Sequence, residues 1–255
     1  VSFGRYLTSD TNVEFVAMSD LSLGTDVRAG QDPSYITLFR TGHGATNPYP
    51  LVGPIVINEV FYKPTNLPAF PGGPPLLDDS FHEFVELRNI TSANAALYYV
   101  PRSQSEIDDG FNTNGWKVNG VIDYKFDAST FPFLLPNEYA LLVNFDPTTN
   151  AATTAEWRSY FVPPIPDSTK LFGPYKGKLS NAGGSIELYR PDAPQRPPHP
   201  DAGFVPYILV ERVKYFDHSP WPTNSDSGIK IDGGGASLQR RSSSEFGNDP
   251  INWFG

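Results

Sequence analysis

The stretch PIVINEVFY, residues 54–62, carries the pattern that decides the fold. Apolar and polar residues alternate along it, as they do in HEFVELRN at 82–89 and NGWKV at 114–118. A period of two places successive side chains on opposite faces of a β-strand. These segments also carry polar residues that a plain strand would not need, such as Glu59 and Glu86. They predict short, paired β-strands.

Composition extends this prediction to the whole chain. Its 255 residues allow one large domain or two small ones. Apolar residues make up 39% and aromatic residues 14%, which is enough to build a core. The 26 prolines and 22 glycines are spread along the sequence, an excess that indicates many turns between short strands. The chain is therefore predicted to be all-β.

Charge and cysteine content exclude several classes of function. The net charge of −9, with no compensating cluster of Lys and Arg, would repel nucleic acids and anionic membranes. The absence of cysteine excludes disulfides, zinc thiolate sites and thiol catalysis. No apolar run approaches the roughly 20 residues of a membrane span. The start at Val1 leads us to expect a mature product or a piece of a longer chain.

Capping and turn signals predict one helix and one tight hairpin. Residues 153–161 carry a capping box, with Thr153 as N-cap and Glu156 three residues later. Asn119-Gly120, inside residues 116–126, is a strong hairpin signal. Further strands are predicted at residues 138–145, 185–190, 207–216 and 236–241.

The N-terminal residues read as a separate β-arm that echoes the C-terminus. Residues 1–16 predict two strands around a polar turn, and residues 35–40, YITLFR, predict one more. VSFGRY at 1–6 is similar to ASLQRR at 236–241. One interpretation is that the chain begins in the closing hairpin of a preceding module of a tandem array. The alternative is an arm that packs on its own sandwich.

Several blocks, in order, resemble the lamin tail domain. They are 56–60 (VINEV), 83–89 (EFVELRN), 115–118 (GWKV), 135–139 (LPNEY), 179–188 (LSNAGGSIEL), 213–215 (VKY) with 220–222 (PWP), and 236–240 (ASLQR) with 247–250 (GNDP). The resemblance covers about 200 residues. It implies an immunoglobulin-like β-sandwich with a buried Trp116, formed by residues 53–255, with residues 1–52 as arm or linker. The basic surface implicated in DNA contact in nuclear lamins has no counterpart here.

Calcium is the one metal that the sequence suggests. Asp78, Asp79 and Glu83 lie in one acidic stretch with Glu86, and Asp226 lies in NSDSG, which is similar to part of a calcium loop. The alternative is that these residues are solvated loop acids or members of cross-strand pairs. No other cofactor is predicted.

Two acidic residues, Glu59 and Glu86, lie inside otherwise apolar strands. They either face water or form buried carboxylates that pair with Arg88, with Lys117 or with backbone groups.

The four histidines lack metalloprotease spacing, and the adjacent Asp217-His218-Ser219 does not indicate a triad, whose members meet in space. The chain is therefore predicted not to be an enzyme.

Loop aromatics are the better functional hint. Tyr98, Tyr99, Tyr175 and Trp221 lie in or beside loops, where they stack on sugars, anchor protein partners or fill the ends of the sandwich.

The expected function is that of an interaction or structural module in a larger bacterial protein, at the cell surface or secreted. Its partners would be proteins, or other copies bound through a β-edge or the N-terminal arm. The alternatives are a carbohydrate-binding module of a secreted enzyme, which would take glycans, and a subunit of an extracellular filament assembled through the arm.

Overall fold

A computed structural model describes residues 2–20, 47–65, 72–74 and 80–255. The chain divides into two compact units, Val1–Val52 and Gly53–Gly255. The predicted strand at 35–40 and the acidic residues Asp78 and Asp79 lie outside the described residues.

The N-terminal unit contains an antiparallel hairpin of β1, Ser2–Leu7, and β2, Val13–Met18. The register runs from Ser2 opposite Met18 to Leu7 opposite Val13. The turn is held by the Thr8 amide, which donates to the Asn12 carbonyl at 3.0 Å. The two strands around a polar turn predicted at the N-terminus are therefore present.

The second unit is an immunoglobulin-like β-sandwich with long loops. Its first sheet has the spatial order β10-β9-β4-β3-β14-β15. These strands are β3 (Ile55–Phe61), β4 (Phe84–Asn89), β9 (Tyr139–Val143), β10 (Lys170–Phe172), β14 (Leu238–Arg240) and β15 (Trp253–Phe254). All neighbours are antiparallel except β9 and β10.

The second sheet has the order β11-β7-β6-β12-β13. Its strands are β6 (Lys117–Gly120), β7 (Ile122–Lys125), β11 (Lys176–Gly177), β12 (Gly183–Pro191) and β13 (Tyr207–Phe216). Strands β6 and β7 form the hairpin that Asn119-Gly120 predicts. Two short strands, β5 (Ala95–Ala96) and β8 (Phe133–Leu134), pair separately.

The core lies between the two sheets. Alternation directs Ile55 and Ile57 of β3 and Val85 and Leu87 of β4 inward, where each is fully buried. Trp116, just before β6, packs in the same cluster and is only 5% exposed. The predicted burial of its indole is confirmed.

A bulge in β3 gives the first sheet a second apolar face. The pairing of β3 with β4 shifts between Ile57 and Glu59, so that Ile57 and Val60 are both core residues. Phe61 then belongs to a smaller cluster with Phe84, Leu141, Val143 and Trp157.

The helix that contributes Trp157 begins earlier than predicted. The described part contains two α-helices, α1 (Gln104–Asp108) and α2 (Ala151–Ser159), rather than one. The predicted N-cap at Thr153 is wrong, because the side chain of Asn150 accepts hydrogen bonds from the amides of Ala152 and Thr153. Asn supplies the same carbonyl acceptor as the preferred N-cap residues.

A buried ion pair joins the two sheets where the chain closes the sandwich. Arg240 of β14 contacts Glu211 of β13, with 2.7 Å between Nη1 and Oε1. Arg240 also donates to the carbonyls of Ile57 and Glu245, and Glu211 accepts from the Ile57 amide. Gly247 leaves the space for this network, since a Cβ there would lie 2.6 Å from the Glu211 carboxylate.

Candidate functional site

A pocket opens on the outer face of the first sheet. Its volume is about 380 Å³, and Glu59 contributes the carboxyl group to its lining. The apolar walls are aromatic, with Phe61 and Phe84 from the sheet and Phe161 from beyond α2. Two polar groups complete the lining: the hydroxyl of Ser237, just before β14, and the amide of Gln239, within β14.

Glu59 faces a second carboxyl across the strands. It is the direct partner of Glu86 in the β3–β4 pairing, and both are partly buried. Directly opposed residues of an antiparallel pair share one face and lie within contact distance. Two acids therefore meet on a surface that water only partly screens.

Neutral polar side chains hold the two acids in place. Glu59 accepts a hydrogen bond from the Ser237 hydroxyl, and the Asn58 amide donates to Glu86 at 2.8 Å. Among the described residues, neither carboxylate has the backbone partner or the Lys117 partner considered from the sequence. Lys117 instead lies in the second sheet, 4.0 Å from the centroid of the Tyr207 ring.

The pKa values of the pair follow from this setting. Burial raises the pKa of Glu59, and its hydrogen bonds with Ser237 and Gln239 oppose the rise. Burial, and then the negative charge of Glu59, raise the pKa of Glu86 to about 7, while Asn58 and Arg88 oppose the rise. Near neutral pH the Glu86 carboxyl therefore exists in both protonation states, and its protonated form can donate a hydrogen bond.

A second cavity, of about 280 Å³, lies at one end of the sandwich. It includes Tyr98, Tyr99 and Arg102. Tyr98 is partly exposed and packs edge-on against Phe131, with ring centroids 5.5 Å apart. Tyr99 is buried, and its hydroxyl donates to Glu106 at 3.1 Å. Of the aromatic residues predicted to bind, only these two share a cavity.

The other two predicted binding aromatics belong to the core, and the prediction that they face a ligand is wrong. Trp221 is 4% exposed and packs against Trp253, with ring centroids 5.8 Å apart. Tyr175 is equally buried, and its hydroxyl donates to Glu83 at 3.4 Å. Burial and the charge of Glu83 raise the pKa of Tyr175. Both side chains fill the sandwich, which was the alternative reading.

The predicted calcium ligands do not converge in the described part. Glu83 is 1% exposed, and its carboxylate accepts a hydrogen bond from the Leu179 amide at 3.0 Å, inside the protein. Asp226 is exposed on a turn. Within the described ranges, no three His, Asp or Glu side chains are grouped closely enough to hold a metal ion. Glu83 is therefore a structural residue.

The edge of the second sheet is a further candidate surface. Among the described residues, β13 has a neighbouring strand only on the β12 side. Its pairing shifts at Val210, so that Leu209 faces Tyr189 and Glu211 faces Leu188. Ile208 and Leu209 are 37% and 42% exposed. Further along, the Asn248 side chain accepts from the Lys214 amide at 2.8 Å and closes that part of the edge.

Sequence reasoning missed Glu211 and Arg240. The available signal was the one that identified Glu59, a single acid inside an apolar strand, here YILVERVKYF. Its partner was not predictable in the same way, because Arg240 lies 29 residues away on another sheet.

Comparisons with known proteins give little further guidance. No family model matches the chain, and no curated protein matches it. Among solved structures, a DUF4876 family protein from Bacteroides thetaiotaomicron is similar over 78% of this chain and 65% of its own, with 14% identity and a TM-score of 0.37. The chain thus spans just under two thirds of that protein, and this likeness carries no functional argument. None of the helices in the described residues is long and apolar enough to cross a membrane.

Proposed function

We propose that this chain is a lamin-tail-type interaction module, without catalytic activity, of a larger bacterial protein that is secreted or displayed at the cell surface. Support comes from where the resemblance blocks fall. VINEV, EFVELRN and the GWKV tryptophan contribute β3, β4 and a core residue. Further support is that the buried charged groups Glu83, Glu211 and Arg240 are engaged with interior partners.

The open half of β13 carries this proposal. The strand is ten residues long, and among the described residues the side of its backbone away from β12 has no neighbouring strand. Exposed Ile208 and Leu209 lie beside that backbone, whereas the part near Lys214 is closed by Asn248. An unprotected edge with apolar side chains is the kind of surface to which another strand adds. The partner is a protein strand, including that of another copy.

A lysine on the open edge tests this function. Leu209→Lys puts a charge where an added strand would lie, and edge lysines block strand addition. Ile251→Lys is the matched control, because Ile251 is exposed in the 3-10 helix Pro250–Asn252. Sedimentation velocity over a concentration series should show association of the wild type and Ile251→Lys, and loss of association in Leu209→Lys. A wild-type chain that stays monomeric throughout would count against the edge.

Glycan binding is a second candidate function, favoured by the cavity beside Tyr98. Its tyrosine rings and Arg102 are groups that stack on and hydrogen-bond to sugars. Tyr98→Ala removes the partly exposed ring, whereas Tyr124→Ala removes a ring of β7 that does not line this cavity. A glycan array should then lose signal only with Tyr98→Ala. Equal binding by both variants would remove this candidate.

A further inference from the structure

The hairpin of β1 and β2 has an exposed apolar face. Phe3 and Leu7 of β1 are 62% and 65% exposed, and Val13 and Phe15 of β2 are 60% and 68% exposed. Leu7 is directly opposite Val13, and the rings of Phe3 and Phe15 stack with centroids 6.0 Å apart. These side chains therefore share one face, and Arg5 lies on it opposite Phe15.

The same arrangement occurs in the hairpin that closes the sandwich. Ser2-Phe3-Gly4-Arg5 echoes Ser237-Leu238-Gln239-Arg240. In both hairpins the arginine is directly opposite an aromatic residue of the second strand, Phe15 for Arg5 and Trp253 for Arg240. The echo seen in the sequence thus extends to the strand register.

The two hairpins differ in what covers that face. Leu238, Arg240 and Trp253 are all at most 5% exposed. In contrast, Phe3, Arg5 and Phe15 are exposed. In the closing hairpin that face lies in the core against the facing sheet, whose Glu211 meets Arg240, and β3 pairs with Leu238 through Val60 along the strand edge.

The charge of Arg5 specifies what the cover must contain. An arginine in the middle of an apolar face is costly to bury unless a carboxylate meets it. Arg240 meets that requirement with Glu211, at 2.7 Å inside the core. A surface that accepts the N-terminal hairpin needs an apolar strand edge and a buried acid, at the positions that β3 and Glu211 occupy in this sandwich.

We propose that the exposed face of the β1–β2 hairpin closes a second sandwich of the same class. It takes in that neighbour the place that β14 and β15 take in this one, and Arg5 pairs with the neighbour's equivalent of Glu211. This inference rests on the proposed function only in that the chain is one sandwich module among several. It gives those modules a means of joining, since each hairpin completes the module before it.

A fusion of the chain to a truncated copy of its own sandwich tests the inference. Residues 53–235 are placed directly before residues 1–255, so that residues 1–20 follow a sandwich that lacks its own closing hairpin. Hydrogen exchange and limited proteolysis then report on each copy separately. We expect the first copy to be protected, with cleavage at least tenfold slower than in a fusion that lacks residues 1–20.

Two point variants of the fusion identify the face that is used. Arg5→Ala should remove protection of the first copy, as loss of an ion-pair partner would. Glu14→Ala should leave it unchanged, because Glu14 is opposite Tyr6 on the other face of the hairpin. A tandem of two complete sandwiches, residues 53–255 twice, shows that a first copy folds in this setting.

Either of two results would overturn the inference. One is a first copy that is unprotected although the complete tandem folds, and the other is protection that Arg5→Ala does not change. Both leave the β13 edge and its sedimentation test untouched, so this proposal and the proposed function fail independently.

Discussion

Two pairs of ionisable residues lie at β3, an ion pair inside the sandwich and a pair of acids on its outer face. Inside, Glu211 meets Arg240, and backbone groups of Ile57 bond to both. Outside, Glu59 meets Glu86, and the side chains that bond to them within the described residues, including Ser237 and Asn58, are neutral. In the interior pair, burial raises the pKa of Glu211, and the charge of Arg240 and the Ile57 amide oppose that rise. In the outer pair the two negative charges repel each other, and protonation of one carboxyl removes that repulsion.

The difference shows that the sequence around an acidic residue does not reveal what its carboxyl group will face in the folded protein. Glu59, Glu86 and Glu211 all lie in strands rich in apolar residues. The facing residue decides whether the carboxyl meets a positive charge, as Glu211 does, or a second carboxyl, as Glu59 and Glu86 do. Four changes test this contrast, beginning with the one expected to have the largest effect.

Removing the interior cation should be the most damaging change. Arg240→Ala leaves Glu211 buried without its partner, and breaking a buried pair in this way costs about 3 to 5 kcal/mol. Arg241→Ala is the matched control, since Arg241 is the exposed neighbour. Urea unfolding monitored by tryptophan fluorescence measures both variants. A loss below about 1 kcal/mol for Arg240→Ala would show that the interior pair does not need both charges.

Neutralising one acid of the outer pair should stabilise the protein, whereas removing the interior cation destabilises it. In the folded state the pKa of Glu86 is raised to about 7 from an ordinary 4.5. The stability that comes from its protonated form is complete below pH 4.5 and is lost as the pH rises through about 7. Glu86→Gln should therefore be more stable than the wild type above neutral pH, by about 3 kcal/mol.

The pH dependence of unfolding provides the measurement for that change. Stability of the wild type should fall between pH 4.5 and 7 relative to Glu86→Gln, and the difference should then be constant. Glu156→Gln, at an exposed position of α2, is the matched control. Parallel stability curves for Glu86→Gln and the wild type would mean that folding does not raise the pKa of Glu86.

Much of the fold was predictable because it depends on local pattern. The limits of β13 at Tyr207 and Phe216 match the predicted strand, and the NG signal marks the β6–β7 hairpin. What failed depends on distant contacts. Trp221 follows a proline and reads as a loop residue, yet Trp253 covers it once the chain closes. Glu83 was predicted to be a calcium ligand, yet its carboxylate accepts a hydrogen bond from the amide of Leu179, 96 residues later.

Removing the hydroxyl that holds Glu59 should have a smaller effect than either charge change. Ser237→Ala deletes a hydrogen bond to a partly buried carboxylate and is expected to cost about 1 kcal/mol. The pKa of Glu59 should rise further, because that hydrogen bond opposes the effect of burial. Ser227→Ala, on an exposed turn, is the control. Thermal unfolding at low and high pH measures the change, which should be greater at high pH, where the carboxylate is charged. An equal loss of stability at low and high pH would mean that the Ser237 hydroxyl contributes through packing alone.

The smallest change separates the two acids from each other. The Asn58 side-chain amide donates a hydrogen bond to Glu86. That hydrogen bond lowers the pKa of Glu86, which burial and the charge of Glu59 raise. Asn58→Ala should therefore move the midpoint of Glu86 upward by about half a pH unit, the scale of one modest hydrogen bond. Carbon-detected NMR of the side-chain carboxyl groups follows each acid. Because the acids are coupled, Glu59 should shift with Glu86, whereas Glu211, which faces an arginine, should not move. A shift confined to Glu86 would mean that the opposed carboxyls titrate independently, and the outer pair would then be two single acids on one face.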